Sequence, residues 1–237
     1  MSAWELYDKL IADVPEDDTV EACIPASNWI FVRTKKGRIG LNAAQPGAAF
    51  EPERIVGMNL REAASLVKSW RFNEAAAGAA AINAAVNRAE SFQTEGEQDA
   101  FLRYRERLLG KKVACVGHFA YLEKRLEGLC ELTVLERAPK GNDIPDPAAE
   151  YLLPEMDTVF ITGSALANKT LPRLLELSKN AFNVISGPST PMNALLFDYG
   201  ADALCGFCVT DEEKLRAAIT GDMPVFTSGR MVSFERK

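Results

Sequence analysis

The sequence predicts an α/β protein in which a small α+β unit precedes an open parallel sheet flanked by helices. Three apolar runs, at residues 113–116, 159–161 and 184–185, carry this reading. Each runs into a small, polar, glycine-containing turn, and helix-compatible sequence follows. The turns are Gly117-His118-Phe119, Thr162-Gly163-Ser164 and Ser186-Gly187-Pro188-Ser189-Thr190. Ligands of open parallel sheets bind in the crevice outside the carboxyl ends of the strands, so the three turns are expected to line one pocket.

The elements follow in chain order. Residues 4–11 have helical spacing, with Trp4, Tyr7, Leu10 and Ile11 on one side. Residues 20–24 and 29–34 are strand-like, and Lys35-Lys36-Gly37 leads into 38–41, which predicts a hairpin in a small antiparallel sheet. Leu60, Ala63, Ala64, Val67 and Trp70 fall on one face of a helix over 60–70. Residues 74–89 are mostly alanine with Gly78 inside, which favours helix while leaving almost no side-chain bulk, so another backbone can approach closely. Glu74 stands in its first turn, where a carboxylate is favoured, and Asn83 and Asn87 lie one turn apart. These polar groups are either a solvated face of a core helix or, for Glu74 and Asn83, a reach into an interdomain site.

Gln93, Thr94, Glu95, Gly96 and Glu97 open a polar stretch that becomes weakly amphipathic over 104–109, which suits a connector ending in a short helix. The expected division is therefore an α+β unit over 1–90, a connector over 91–111 and an α/β unit over 112–237. In the last, strands near 113, 132–135, 158–162, 183–185 and 203–205 alternate with helices near 121–128, 170–179, 192–199 and 211–219. That alternation predicts a parallel sheet covered on both faces.

Composition narrows the function classes. The 237 residues are 47% apolar and 25% charged, and no apolar run approaches the ~20 residues a membrane helix needs. The first eight residues lack a basic segment and apolar core of the signal-peptide kind, so a cytoplasmic location is expected. Five cysteines, an odd number, fit reduced thiols better than a disulfide framework. A net charge of −6 without a basic block argues against nucleic-acid binding. His118 is the one histidine, so a histidine-rich metal site is excluded within one chain. Homo-oligomerisation is compatible with the sequence but does not follow from it.

Taken together, Ser69-Trp70, the run Glu74-Ala-Ala-Ala-Gly78-Ala-Ala-Ala-Ile82-Asn83-Ala84, Gly117-His118-Phe119, Thr162-Gly163, Asn168 and Gly187-Pro188-Ser189-Thr190-Pro191 resemble one family. It is the family of bacterial and archaeal proteins of unknown function labelled putative heavy-metal chelation proteins, and the resemblance covers nearly the whole chain. It implies an enolase N-terminal-like domain joined to a Rossmann-like domain, with a site between them. The family label transfers a fold more firmly than a chemistry.

Gly117-His118-Phe119 lacks the Gly-x-Gly-x-x-Gly fingerprint of dinucleotide binding, so the usual NAD mode is disfavoured. Glu136 follows the second strand, where an acidic residue accepts from a ribose; it reads equally as a solvated charge paired with Arg137 or Lys140. Ser189 and Thr190 precede a helix start at Pro191, a place for capping and for anion contact alike. Thr162, Gly163 and Asn168 form the analogous group, with Asn168 either a cap or a ligand contact. His118 is the expected catalytic or metal-contacting group, Phe119 its neighbour, and Gly117, Gly163 and Gly187 allow close backbone approach. A Ser189–His118 hydrolase is disfavoured because the Gly-x-Ser-x-Gly elbow is missing. Cys205 and Cys208 have half a zinc-knuckle spacing but point to opposite faces of an extended strand, so buried thiols are expected. The expected function is binding of a small polar or anionic ligand, a metal chelate or a nucleotide, between the two units. The chain is then either an enzyme in the synthesis or handling of a heavy-metal chelator or a non-catalytic sensor; no cofactor and no metal follows from the residues.

Overall fold

The computed structural model describes residues 4–26, 28–47, 50–92, 99–119, 122–221 and 223–236. Helix α1 (Glu5–Ala12) buries Leu6, Tyr7 and Leu10 and leads into an antiparallel meander of β1 (Val20–Ala26), β2 (Trp29–Thr34) and β3 (Ile39–Ala43). Gly37, at φ 76°, makes the turn between β2 and β3. Two helices follow, α2 (Leu60–Ser65), capped by the Asn59 side chain, and α3 (Phe72–Val86). The expected helix over 60–70 is shorter than its pattern. It tightens into a single 3-10 turn at Leu66–Lys68, Ser69 turns extended, and Trp70 is therefore 71% exposed instead of lying on the apolar face.

Close backbone approach to the alanine-rich helix does occur. A Cβ on Gly40 of β3 would sit 2.1 Å from the Ala80 carbonyl oxygen, and one on Gly78 would sit 2.1 Å from the Val67 nitrogen. Helix α3 is thus clasped between β3 and the 66–68 turn at backbone contact, which only alanine and glycine permit.

The stretch from Gln93 to Glu97 lies outside the described residues. Beyond it, α4 (Ala100–Arg103) and α5 (Arg105–Leu108) bring Phe101, Tyr104 and Leu108 into one core with the large sheet. That sheet is built from β4 (Lys112–Val116), β5 (Glu131–Glu136), β6 (Ile144–Pro145), β7 (Thr158–Thr162), β8 (Phe182–Ser186), β9 (Ala203–Val209) and β10 (Gly229–Glu235). Helices α6 (Leu122–Leu126), α7 (Ala149–Leu152), α8 (Leu171–Leu177) and α9 (Glu212–Thr220) connect them. The strand order is β10-β9-β8-β7-β4-β5-β6. All neighbours pair parallel except β10, which returns antiparallel along β9 and lengthens that strand to Val209.

The expected helix over 192–199 is a 3-10 helix, Ala194–Tyr199, capped by Asn193 and ended by Gly200 at φ 101°. Apolar residues of α1, α2 and α3 share one buried cluster with Ala114, Val159 and Ile185 of the large sheet, so the two units meet through a continuous core. From β4 the chain winds one way to β5 and β6, and from β7 the other way to β8 and β9. The winding reverses between β4 and β7, where the strand ends splay and open a crevice. Among the described residues no helix is long and apolar enough to cross a membrane.

Candidate functional site

A cavity of about 480 Å³ fills that crevice, and the turns after β4, β5, β7 and β8 line it. The small unit supplies its roof through Trp29 and the Ala43-Ala44-Gln45-Pro46 turn after β3, and Phe226 stands at its edge. The glycine-ended strands explain this shape. Gly117, at φ 98°, would place a Cβ 3.0 Å from Thr162 Cγ2, and Gly187, at φ 99°, faces the Phe119 ring. A side chain at either position would strain the backbone, and at Gly117 it would also crowd Thr162.

The His118 backbone is tied to Glu136. Glu136 Oε2 accepts the His118 N–H at 2.9 Å, while Oε1 accepts the N–H groups of Arg137 at 2.7 Å and Ala138 at 3.2 Å. Glu136 is therefore a strut that joins the β4 and β5 turns, and its remaining accepting capacity is small. The His118 ring lies with Nδ1 3.2 Å from both carboxylate oxygens of Asp143. Asp143 is only 5% exposed at its side chain and also accepts the Lys140 N–H at 3.0 Å. A carboxylate at Nδ1 favours the neutral tautomer with its proton on that nitrogen and orients the ring. Nearby, Arg137 Nε donates to Asp146 at 3.1 Å.

On the β7 and β8 side, the Thr162 and Ser164 hydroxyls lie 3.1 Å apart, and Asn168 Oδ1 accepts from the Thr170 N–H and hydroxyl. Ser189 Oγ accepts the Ala43 N–H at 2.9 Å, which pins the roof to the β8 turn. That contact gives Ser189 a bridging task between the units rather than a partnership with His118.

The cavity thus brings together Gly117, His118, Phe119, Glu136, Thr162, Asn168, Gly187, Pro188 and Ser189. Four other sequence candidates stand outside its lining. Glu74 accepts from Ser69 Oγ at 2.8 Å and pairs with Arg71. Asn83 is 1% exposed and donates to the carbonyls of Leu41 and Ser189. Gly163 lies against the Ser189–Thr190 backbone, and Thr190 is fully buried with its carbonyl held by Asn87. Sequence reasoning missed Asp143, Asp146, Arg137 as a lining residue, and the whole roof. Asp143 sits in a turn without periodicity, and the roof comes from a turn far away in sequence; only Pro46-Gly47 marked that turn.

The donor set among the described residues does not fit a metal ion held by the chain alone. Among the described residues no three His, Cys, Asp or Glu side chains converge. Cys205 and Cys208 are both buried in β9 and belong to clusters on opposite faces of the sheet. Burial pushes both thiols up to about 12, which withholds the thiolate that binds metals. Both are expected to resist a disulfide reagent at pH 8 in the folded protein and to react on unfolding, with half-buried Cys130 reacting first. Rapid native-state reaction of Cys205 or Cys208, read by peptide mapping, would contradict this placement.

Residues 99–228 match one family and residues 7–86 a second, and both are described as "Putative heavy-metal chelation". The chain belongs to the putative heavy-metal chelation family. Of its relatives, an uncharacterized protein of Methanocaldococcus jannaschii is 32% identical over 166 residues, 67% of this chain, which spans 64% of that protein's length. The crystal structure of a family protein of unknown function from Desulfitobacterium hafniense is 37% identical, covers 99% of both chains and superimposes with a TM-score of 0.91. A second, from Pyrococcus horikoshii, covers both chains fully at 20% identity and a TM-score of 0.76, which speaks for the fold alone. The expected α/β fold, a small antiparallel sheet followed by a larger and mostly parallel one, is the fold of the chain and of its family neighbour.

Proposed function

We propose that the chain binds a small polar or anionic molecule in the crevice between its units and serves the synthesis or handling of a heavy-metal chelator. The observation that supports this best is the coincidence of the cavity with the reversal point of the sheet, where strand-end turns converge under a roof from the other unit. Within it, the His118 side chain, oriented by Asp143, is the group for proton or metal contact with the ligand. Arg137, paired with Asp146, and the hydroxyls of Thr162 and Ser164 give the crevice a polar edge, and the rings of Trp29, Phe119 and Phe226 give it apolar walls. Because no metal site assembles among the described residues, the metal enters this reading already held by the small molecule.

His118→Ala is expected to remove ligand-induced stabilisation in a thermal-shift assay while leaving the ligand-free melting temperature within about 2 °C, since an exposed ring contributes little to the fold. Unchanged stabilisation by ligand would take His118 out of the site. Conversion of the bound molecule into a product, followed by mass spectrometry, separates an enzyme from a sensor.

A further inference from the structure

Three buried side chains at the seam between the units carry hydrogen-bonding groups that no described residue satisfies. Asn42 of β3 is fully buried, and neither its Nδ2 nor its Oδ1 has a protein partner. Thr190 of the β8 turn is equally buried with its Oγ1 unpartnered, and Asn83 of α3, buried beside them, leaves its Oδ1 unpartnered. A side-chain amide brings two N–H donors and an oxygen acceptor, and native interiors pair the large majority of such buried groups.

The three side chains converge. Asn83 Nδ2 donates to the Leu41 carbonyl at 2.8 Å and to the Ser189 carbonyl at 3.0 Å. Those carbonyls belong to the planar peptide groups that lead into Asn42 and Thr190, so one amide nitrogen touches the backbone that carries both of the other side chains. Asn42 also shares a face of β3 with Gly40, whose Cβ would meet the Ala80 carbonyl and the Asn83 backbone, which turns the Asn42 amide toward α3. Over residues 75–81 that helix is alanine and glycine only, so it offers Asn42 no polar side chain.

We propose that these groups hold a buried water in the space left by the short alanine side chains, and that this water bridges β3 to α3 and the β8 turn. Water both donates and accepts, as this set requires: Asn42 Nδ2 donates to it, it donates to Asn83 Oδ1, and the Thr190 hydroxyl can do either. A cation would meet the oxygens but leave the Asn42 N–H donors facing like charge. The residue after Asn42 starts the cavity roof, and its N–H is the one that Ser189 Oγ accepts. The water thus completes the seat of the roof, and Asn42 is a positioning residue for it. The proposal needs no ligand in the crevice and stands or falls apart from that reading.

A crystal structure of the full chain at about 1.5 Å is expected to show water density about 3 Å from the Asn42 amide and from Asn83 Oδ1 or Thr190 Oγ1. No density there, or an Asn42 amide paired to protein atoms instead, overturns the proposal. Asn42→Leu, of similar size and without either polar atom, is expected to lower the folding equilibrium constant at least ~10-fold in urea unfolding, because it takes partners from the water and leaves Asn83 and Thr190 unmet. A dry, unpaired amide predicts the opposite sign, so a variant more stable than the wild type overturns the proposal as well. The melting temperature is expected to agree within about 1 °C in sodium, potassium and choline chloride at equal ionic strength, and a rise specific to one alkali cation would make the site ionic instead.

Discussion

Gly163→Ala is expected to destabilise the protein by about 3 kcal/mol, the upper part of the range for overpacking a tight interior. The new Cβ would lie 2.4 Å from the Thr190 nitrogen and 2.6 Å from the Ser189 carbonyl carbon. Both are backbone atoms, so no flexible side chain can step aside. The segment they belong to is itself held, because Thr190 N–H closes a turn onto the Gly187 carbonyl at 3.0 Å and Asn83 and Asn87 grip the carbonyls of Ser189 and Thr190. Relief therefore means dragging the β8 turn off its anchors, which would also deform the wall of the cavity. Urea unfolding reads the loss; a change below about 1 kcal/mol would mean that this turn yields freely and is no rigid part of the site.

Asn87→Ala is expected to cost about 4 kcal/mol. Its Nδ2 donates to the carbonyls of Thr190 at 2.9 Å and Phe207 at 3.2 Å, and its Oδ1 accepts the Met192 N–H at 2.9 Å. All three partners are buried, and each orphaned group costs ~1–3 kcal/mol. Asn87→Asp should be no milder, since it turns a donor shared by two carbonyls into a second acceptor. Because the apolar core is continuous across both units, a single unfolding transition is expected for the wild type, and two well-separated transitions would contradict that continuity.

These two asparagines also mark where local sequence stops being informative. The one-turn spacing of Asn83 in α3 and Asn87 just past its end was readable, but whether the side they share meets water or protein depends on the β8 turn, more than 100 residues later. The same limit hid the roof, whose Ala43 reaches Ser189 across the units. Strands β4, β7 and β8 were legible because short apolar runs ending in glycine leave few alternatives, and the clasp around α3 because alanine and glycine bulk is a local property. The pleat alone was enough to separate Cys205 from Cys208, and the sheet places them on opposite faces. Trp70 misled because apolar spacing continued past the point where Ser69 leaves the helix. The antiparallel β10 had no signal comparable to a glycine-ended run, and the His118–Asp143 contact joins two turns whose meeting depends on how β4, β5 and β6 pair.

The most direct measurement of crevice binding is a thermal-shift screen of metal-stripped protein against divalent metals, nucleotides and metal complexes of small chelators. A ligand that binds only the folded state raises its stability by mass action, so no reaction needs to be assumed. Ligand binding at the sheet reversal predicts stabilisation by a small organic anion or a metal complex, lost in His118→Ala and kept in Cys205→Ala and Cys208→Ala. Stabilisation by free metal alone, kept in His118→Ala and lost in either cysteine variant, would contradict it and move the site to β9.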